Sequence, residues 1–94
     1  GSTVLSTLSI SRFVLISIGK AAAGLAQQAE LLLGDFISEG LCITKHGHAL
    51  PLRYCRTIQA GHPLPDKHSV EAGNAVLQLL AHLSPSDVVL LLIS

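Results

Sequence analysis

Charged side chains are scarce in this sequence, and neither sign predominates. Six Lys or Arg residues balance six Asp or Glu residues among 94, so the formal net charge at pH 7 is zero. Proteins that bind nucleic acid or an anionic membrane surface usually show an excess of positive charge. The composition therefore predicts a protein that binds neither nucleic acid nor a membrane.

Long hydrophobic runs and cysteine pairs are also missing. The longest aliphatic run, residues 88–93, is far shorter than the roughly 20 residues that a membrane-spanning helix needs. An apolar stretch follows Arg12, but Lys20 interrupts it and hydroxylated residues precede it, which disfavours a signal peptide. Cys42 and Cys55 form no C-x-x-C motif and are typical of reduced thiols. These features predict a cytoplasmic protein.

Aliphatic side chains are abundant. Apolar residues make up 49% of the sequence, yet it contains only two Phe, one Tyr and no Trp. A chain of this length forms one small domain, which buries only about 60–65% of its unfolded surface. We therefore expect a compact core built almost entirely from aliphatic residues.

The clearest pattern is a strand that turns directly into a helix. Residues 13–18 (FVLISI) are β-branched and aliphatic, as in a buried parallel strand. Apolar residues then recur at helical spacing over residues 22–33, and Gly34 is a typical helix stop. Gly19 and Lys20 stand at the turn between the two predicted elements.

The turn at Lys20 has two interpretations. A helix N-terminus presents free backbone N–H groups, and a lysine beside them adds positive charge, so the turn is a candidate anion site. The segment GKAAAG is neither a Walker A loop nor a G-x-G-x-x-G motif. Gly19 equally fits a tight turn next to a solvated lysine, and the local pattern leaves both interpretations open.

The rest of the chain predicts alternating strands and helices. Short apolar runs indicate strands at 40–44, 56–60 and 88–93, and helical spacing indicates a helix that starts near Asp66 or Ser69 and ends before residues 84–87. This order predicts a three-layer α/β fold with a mostly parallel sheet. We expect 13–18 and 88–93 to be central strands, because both are apolar throughout.

Several histidines follow the predicted strands. Their spacing matches no established zinc motif, so we predict no metal site among them. The segment from His62 to Asp66 contains two prolines and fits a rigid turn in which Asp66 caps the next helix. The same segment also fits a fixed loop that presents His62 beside Lys20.

Four segments together resemble one known family. They are IGKAAAGLAQQAE, LCITKHGHALPL, IQAGHPLPDKHSVEAGNAVLQLL and DVVLLLIS, and they follow this order within residues 12–94. The series resembles the N-terminal domain of the glycerate 2-kinase family, whose members are also labelled hydroxypyruvate reductases. The resemblance implies that residues 12–94 are part of a truncated, Rossmann-like N-terminal domain, with residues 1–11 as a leader or edge segment.

The resemblance also implies a set of site residues. Lys20 corresponds to the lysine of the family's G-K-A motif and is the expected catalytic residue. The T-K-x-G-H and G-H-P-x-P-D motifs and the first serine of a Ser-Gly-Gly-Gly-Ser loop supply the expected substrate-binding residues: Lys45, His48, His62, Asp66 and Ser94.

The implied parent enzyme phosphorylates the 2-hydroxyl of D-glycerate, with ATP and Mg²⁺ as cofactors. The family's active site lies between this domain and a C-terminal domain, which is therefore the expected partner, and the chain alone should be inactive. One alternative is an NAD(P)H-dependent hydroxypyruvate reductase, although no G-x-G-x-x-G motif follows a predicted strand. Another is a non-catalytic α/β fragment that self-associates.

Overall fold

A computed structural model of the chain describes residues 11–61 and 66–94. The predicted order of strands and helices is confirmed, and β2 and β3 each begin one residue earlier than the pattern indicated. The predicted leader lies almost wholly outside the described residues. The elements are β1 (Phe13–Ile18), α1 (Ala22–Leu33), a 3₁₀ turn (Gly34–Phe36), β2 (Glu39–Lys45), β3 (Cys55–Ala60), α2 (Lys67–Ala81) and β4 (Val88–Ile93).

The four strands form one parallel sheet in the order β3-β2-β1-β4. Leu15 of β1 packs in one cluster with Ala29 of α1, while Leu41 of β2 packs with Ala72 of α2. Leu41 is the register partner of Ile16, so Leu41 and Leu15 lie on opposite faces of the sheet. The two helices therefore cover opposite faces, which confirms the three-layer α/β prediction.

Small side chains let α1 approach the sheet closely. Its buried positions are all alanine: Ala22, Ala23, Ala26 and Ala29. Beneath it, Gly40 leaves space for Cys55, whose Sγ would lie 2.5 Å from a Cβ built on the glycine. The core is thus aliphatic and closely packed, as the composition predicted. Neither helix in the described part of the chain is long and apolar enough to cross a membrane.

The predicted central position of residues 88–93 is wrong. β1 lies between β2 and β4, whereas β4 pairs with β1 alone in the described sheet. Leu90 and Leu92 pack against the core, but Leu91 and Ile93 are 51% and 73% exposed. Leu91 and Ile93 point to the opposite face, where α2 packs over β2 and β3 and does not cover β4.

The strand order reverses direction at β1. The chain moves from β1 to β2 on one side, and later crosses from β3 to β4 on the other side of β1. Ile18 and Ile93, the last residues of β1 and β4, are register partners. In open α/β sheets, ligands bind at such a reversal, outside the carboxyl ends of the strands. The fold therefore brings Lys20 and Ser94, which follow these two strands, to the same place.

Candidate functional site

The turn after β1 requires a glycine. Gly19 has φ of 130°, a region that other residues rarely adopt, and its N–H donates to the carbonyl of Ile43 at 2.9 Å. A Cβ at this position would lie 2.2 Å from the carbonyl oxygen of Ser94. Gly19 therefore allows β1 to turn while its backbone touches the end of β4.

The N-terminus of α1 has no side-chain cap. The N–H of Ala21 donates to Ser94 Oγ at 3.0 Å, and that of Ala22 donates to the carbonyl of Gly19 at 3.2 Å. The N–H groups of Ala23 and Gly24 have no acceptor among the residues that the structure describes. Unpaired N–H groups at a helix start attract anions, and the exposed side chain of Lys20 lies beside them.

The turn after β2 folds against the turn after β1. His48 Nδ1 lies 3.2 Å from the carbonyl oxygen of Lys20, and Thr44 Oγ1 donates to the same oxygen at 3.4 Å. Within the second turn, the N–H of His48 donates to the carbonyl of Lys45 at 3.0 Å. The N–H of Gly47 donates to Gln59 Oε1 of β3 at 2.8 Å. These bonds fix His48 beside Lys20.

A cavity of about 660 Å³ opens between the two turns and the end of β4. It brings together three of the predicted site residues, Lys20, His48 and Ser94, which come from three different motifs. Ala49 and Leu50 add apolar surface. The cavity thus combines the positive charge of Lys20, the N–H of Gly24 at the helix start, an imidazole and a hydroxyl, which suits a small anionic ligand.

Two other predicted residues do not line this cavity. Lys45 is the last residue of β2 and contributes its carbonyl to the turn. Asp66 caps α2: its Oδ1 accepts from the N–H groups of His68 and Ser69, as the rigid-turn interpretation predicts. Ser69 Oγ accepts from the N–H of Asp66 in return, which completes a capping box. His62, the remaining predicted residue, lies outside the described residues.

His46 contacts the predicted site residue Asp66, a contact that the sequence did not predict. Its Nε2 lies 2.9 Å from Asp66 Oδ2, and its ring meets that of His68 edge to face at 5.4 Å. The hydrogen bond from His46 is the largest influence on Asp66, and with the capping N–H groups it lowers the pKa of that carboxyl well below its ordinary value of 3.8. No pattern signals this pair, because twenty positions separate its members.

Glu30 of α1 holds the end of the loop between β2 and β3. Its carboxylate accepts from the backbone N–H groups of Arg53, Tyr54 and Cys55 at 2.7–3.0 Å. Partial burial disfavours the ionised form, but the three hydrogen bonds outweigh burial, so the pKa of Glu30 is lowered from its ordinary value of 4.5. The contact is local to α1 and this loop, and no sequence motif predicts it.

Neither cysteine is suited to thiolate chemistry. Burial raises the pKa of Cys42 to about 11 and that of Cys55 to about 12, and the nearby Glu30 carboxylate adds to both shifts. Both thiols are free. A thiol is a weak nucleophile when its pKa is raised, so we assign both cysteines to the core.

Two further cavities formed by described residues contain none of the predicted site residues. One, of about 560 Å³, lies near Arg12 and His82, and the other, of about 860 Å³, lies between α1 and residues 51–54. Among residues 11–61 and 66–94, no group of three or more His, Cys, Asp or Glu side chains is placed to hold a metal ion. The cavity at Lys20 is therefore the best candidate site.

Comparisons with known proteins point to one group of enzymes. Residues 2–94 match the family described as a domain of unknown function, DUF4147. D-glycerate 2-kinase of Thermotoga maritima is 37% identical over 91 residues, covering 96% of this chain and 22% of the relative. A protein of Agrobacterium vitis named putative hydroxypyruvate reductase is 39% identical over 85 residues, covering 90% of this chain and 22% of the relative.

Solved structures agree with these sequence matches. The crystal structure of glycerate kinase from Thermotoga maritima superposes with a TM-score of 0.81 at 35% identity, and covers 96% of this chain and 22% of that one. A protein of Pyrococcus horikoshii superposes with a TM-score of 0.80 at 31% identity, over 86% of this chain and 18% of that one. The chain thus spans about a fifth of the length of the relatives it matches.

Proposed function

The chain belongs to the DUF4147 family, and we propose from this premise that it is part of an enzyme that transfers the γ-phosphoryl group of ATP to the 2-hydroxyl of D-glycerate. The observation that carries the proposal is the meeting of Lys20, His48 and Ser94 in one cavity at the carboxyl ends of the strands. A relative named D-glycerate 2-kinase supports the choice of reaction.

Lys20 is the residue that we assign to catalysis. Both the substrate carboxylate and the transferring phosphoryl group are anionic, and phosphoryl transfer depends on positioning and on neutralising the charge that develops. Lys20 and Gly24 both line the cavity, and the N–H of Gly24 has no acceptor among the described residues, so the lysine ammonium and this N–H supply positive charge in one place. Lys20 therefore stabilises an anionic group of the reacting pair.

The remaining assignments concern substrate binding. Ser94 lines the cavity, and its Oγ accepts from the N–H of Ala21, which leaves its own O–H available to a ligand. We retain Lys45, His62 and Asp66 as substrate-binding residues on the motif resemblance. For Asp66, both carboxylate oxygens already have protein partners, so it would act by holding the turn at His46.

Mg²⁺ is the metal expected for a kinase that uses ATP. Mg²⁺ prefers oxygen ligands, above all carboxylates. No Asp or Glu side chain lines the described part of the Lys20 cavity, and no three or more His, Cys, Asp or Glu side chains among the described residues are grouped to hold a metal ion. The described residues therefore do not form a magnesium site by themselves, and we derive no step from the metal.

The short length of the chain relative to its kinase relatives supports the presence of a second domain in the active enzyme. Because the chain spans about a fifth of its kinase relatives, we propose that another domain completes the active site and that the chain alone has no turnover. Two free, buried or half-buried thiols favour a location in the reducing cytoplasm.

A hydroxypyruvate reductase that uses NAD(P)H is the second candidate, because a similar protein carries that name. Dinucleotide-binding turns use several glycines to bring the backbone close to the pyrophosphate. Here only Gly19 has positive φ in the β1–α1 turn, and Lys20 and Ala21 follow it. This turn favours the kinase.

An activity assay decides between the two reactions. In the presence of Mg²⁺, the full-length protein should convert D-glycerate and ATP to 2-phosphoglycerate and ADP, and ³¹P NMR distinguishes this product from the 3-phosphate. The protein should not oxidise NADPH or NADH when hydroxypyruvate is added. The 94-residue chain, assayed in parallel, should be inactive in both reactions. Reduction of hydroxypyruvate without glycerate phosphorylation would replace this proposal by its alternative.

A further inference from the structure

The hydrogen bond between His48 and Lys20 determines where the imidazole carries its proton. His48 Nδ1 lies 3.2 Å from the backbone carbonyl oxygen of Lys20. A carbonyl oxygen only accepts hydrogen bonds, so Nδ1 must be the donor and must hold a hydrogen. In the neutral ring the other nitrogen, Nε2, then has a free lone pair. The backbone of Lys20 thus prepares His48 as a proton acceptor.

The position of His48 fits this role. Its side chain is partly buried and lines the same cavity as Lys20 and Ser94. The two ring nitrogens point in diverging directions, so Nε2 points away from the carbonyl that holds Nδ1. Among the described residues, His48 supplies the imidazole that lines this cavity. The nearby His46 is paired with Asp66 and does not line it.

The polar and charged groups around His48 come from three elements. Lys20 lies on the β1–α1 turn, Lys45 precedes the turn that carries His48, and Ser94 adds a neutral hydroxyl at the end of β4. No Asp or Glu side chain lines the described part of the cavity. A carboxylate partner often orients a catalytic histidine. Here the backbone carbonyl does so, without adding a negative charge beside an anionic substrate.

We propose that His48 is the general base of the reaction, and this inference rests on the proposed kinase function. The 2-hydroxyl oxygen of glycerate bonds to the γ-phosphorus of ATP while its proton moves to His48 Nε2. The bond from the γ-phosphorus to the β,γ-bridging oxygen breaks, and its electron pair leaves with ADP. The imidazolium then releases the proton to solvent.

Replacing His48 by Gln tests the assignment in the full-length enzyme. Glutamine keeps a hydrogen-bond donor for the Lys20 carbonyl but has no basic nitrogen. General-base catalysis contributes typically 10²–10⁴-fold, so kcat should fall by about 10²-fold while KM for glycerate changes little. In the wild-type enzyme, kcat/KM should fall at acid pH, because a protonated imidazole accepts no proton, and this fall should disappear in the variant.

His82→Gln is the matched control. His82 Nδ1 also meets a backbone carbonyl, that of Gln78 at 2.7 Å, but the side chain is exposed at the end of α2 and does not line the Lys20 cavity. This variant should keep the wild-type kcat and pH profile. Melting curves of both variants establish that they are folded.

The possible outcomes distinguish a failure of the His48 assignment from a failure of the proposed kinase function. If the wild-type enzyme fails to phosphorylate glycerate, the proposed function and the inference both fail. If it is active but His48→Gln keeps its kcat and acid limb, the base assignment alone is overturned. ¹⁵N NMR of the 94-residue chain gives a readout that needs no activity: His48 should carry its hydrogen on Nδ1, and a ring protonated only on Nε2 would also overturn the assignment.

Discussion

Gly19 is the single residue that lets the β1 turn reach the end of β4. Its φ of 130° favours glycine, and the backbone of Ser94 occupies the space where a Cβ would be. Substitution would therefore combine backbone strain with a steric clash. Since Lys20 and Ser94 both lie at this contact, the geometry of the cavity depends on a residue that has no functional group.

Gly19→Ala should destabilise the chain by about 1–3 kcal/mol or more, because an unfavourable φ costs about that much before the clash is added. Urea denaturation measures the loss. The control is Gly73→Ala: Gly73 lies within α2, and an added Cβ meets no atom within 4 Å. That variant should gain up to about 1 kcal/mol from helix propensity. Equal stability of the two variants would contradict the account of the turn.

At the residue scale, short motifs predicted Lys20, His48 and Ser94 as site residues. The fold places the three in one cavity, and their roles stay predictions. The pair of His46 and Asp66 was missed, since a contact between loops depends on how the strands are arranged. The contact between Glu30 and the loop at residues 53–55 was missed for the same reason. A glutamate on the polar face of a helix gives no sign of its partner until the position of the facing loop is known.

At the scale of elements, β4 shows what hydrophobicity alone cannot decide. A continuous apolar strand fits a central position covered on both faces, and equally an edge whose second face is open. The existence of the strands was predicted from local sequence and is confirmed, with bounds that differ by no more than one residue at either end. Whether both faces of β4 are covered depends on α2. This helix packs over β2 and β3, which lie on the other side of β1 from β4, so one face of β4 stays open.

The open face of β4 predicts self-association of the 94-residue chain. Leu91 and Ile93 are exposed on a strand that pairs on one side only in the described sheet. Exposed apolar edge strands favour pairing between molecules, and lysine on such an edge opposes it. Sedimentation velocity at micromolar to millimolar concentration should show oligomers, and Leu91→Lys should reduce them.

Leu31→Lys serves as the control for that experiment. Leu31 is 79% exposed, but it lies on α1, away from β4. It introduces the same charge without touching the edge strand, so the oligomers should persist. A wild-type chain that remains monomeric throughout the concentration range would count against association through β4.

At the scale of the whole molecule, strand order determines where chemistry is possible. The order β3-β2-β1-β4 brings the carboxyl ends of β1 and β4 together and places the turn after β2 beside them. The α/β class followed from the alternation of periodicities, whereas the specific strand order was not predicted and is known only from the structure. The similarity to Thermotoga maritima glycerate kinase, with a TM-score of 0.81, confirms the family resemblance.

Turnover of Lys20→Ala in the full-length enzyme tests most directly the proposal that Lys20 and the start of α1 bind an anionic group of the reaction. Loss of a preorganised electrostatic contact should lower kcat by about 10²-fold or more, with an unchanged melting temperature. Lys67→Ala is the control, because Lys67 is an exposed lysine at the start of α2 and does not line the cavity. Its turnover should match the wild type. Near-wild-type turnover of Lys20→Ala would contradict the account and reduce Lys20 to a solvated residue at a helix start.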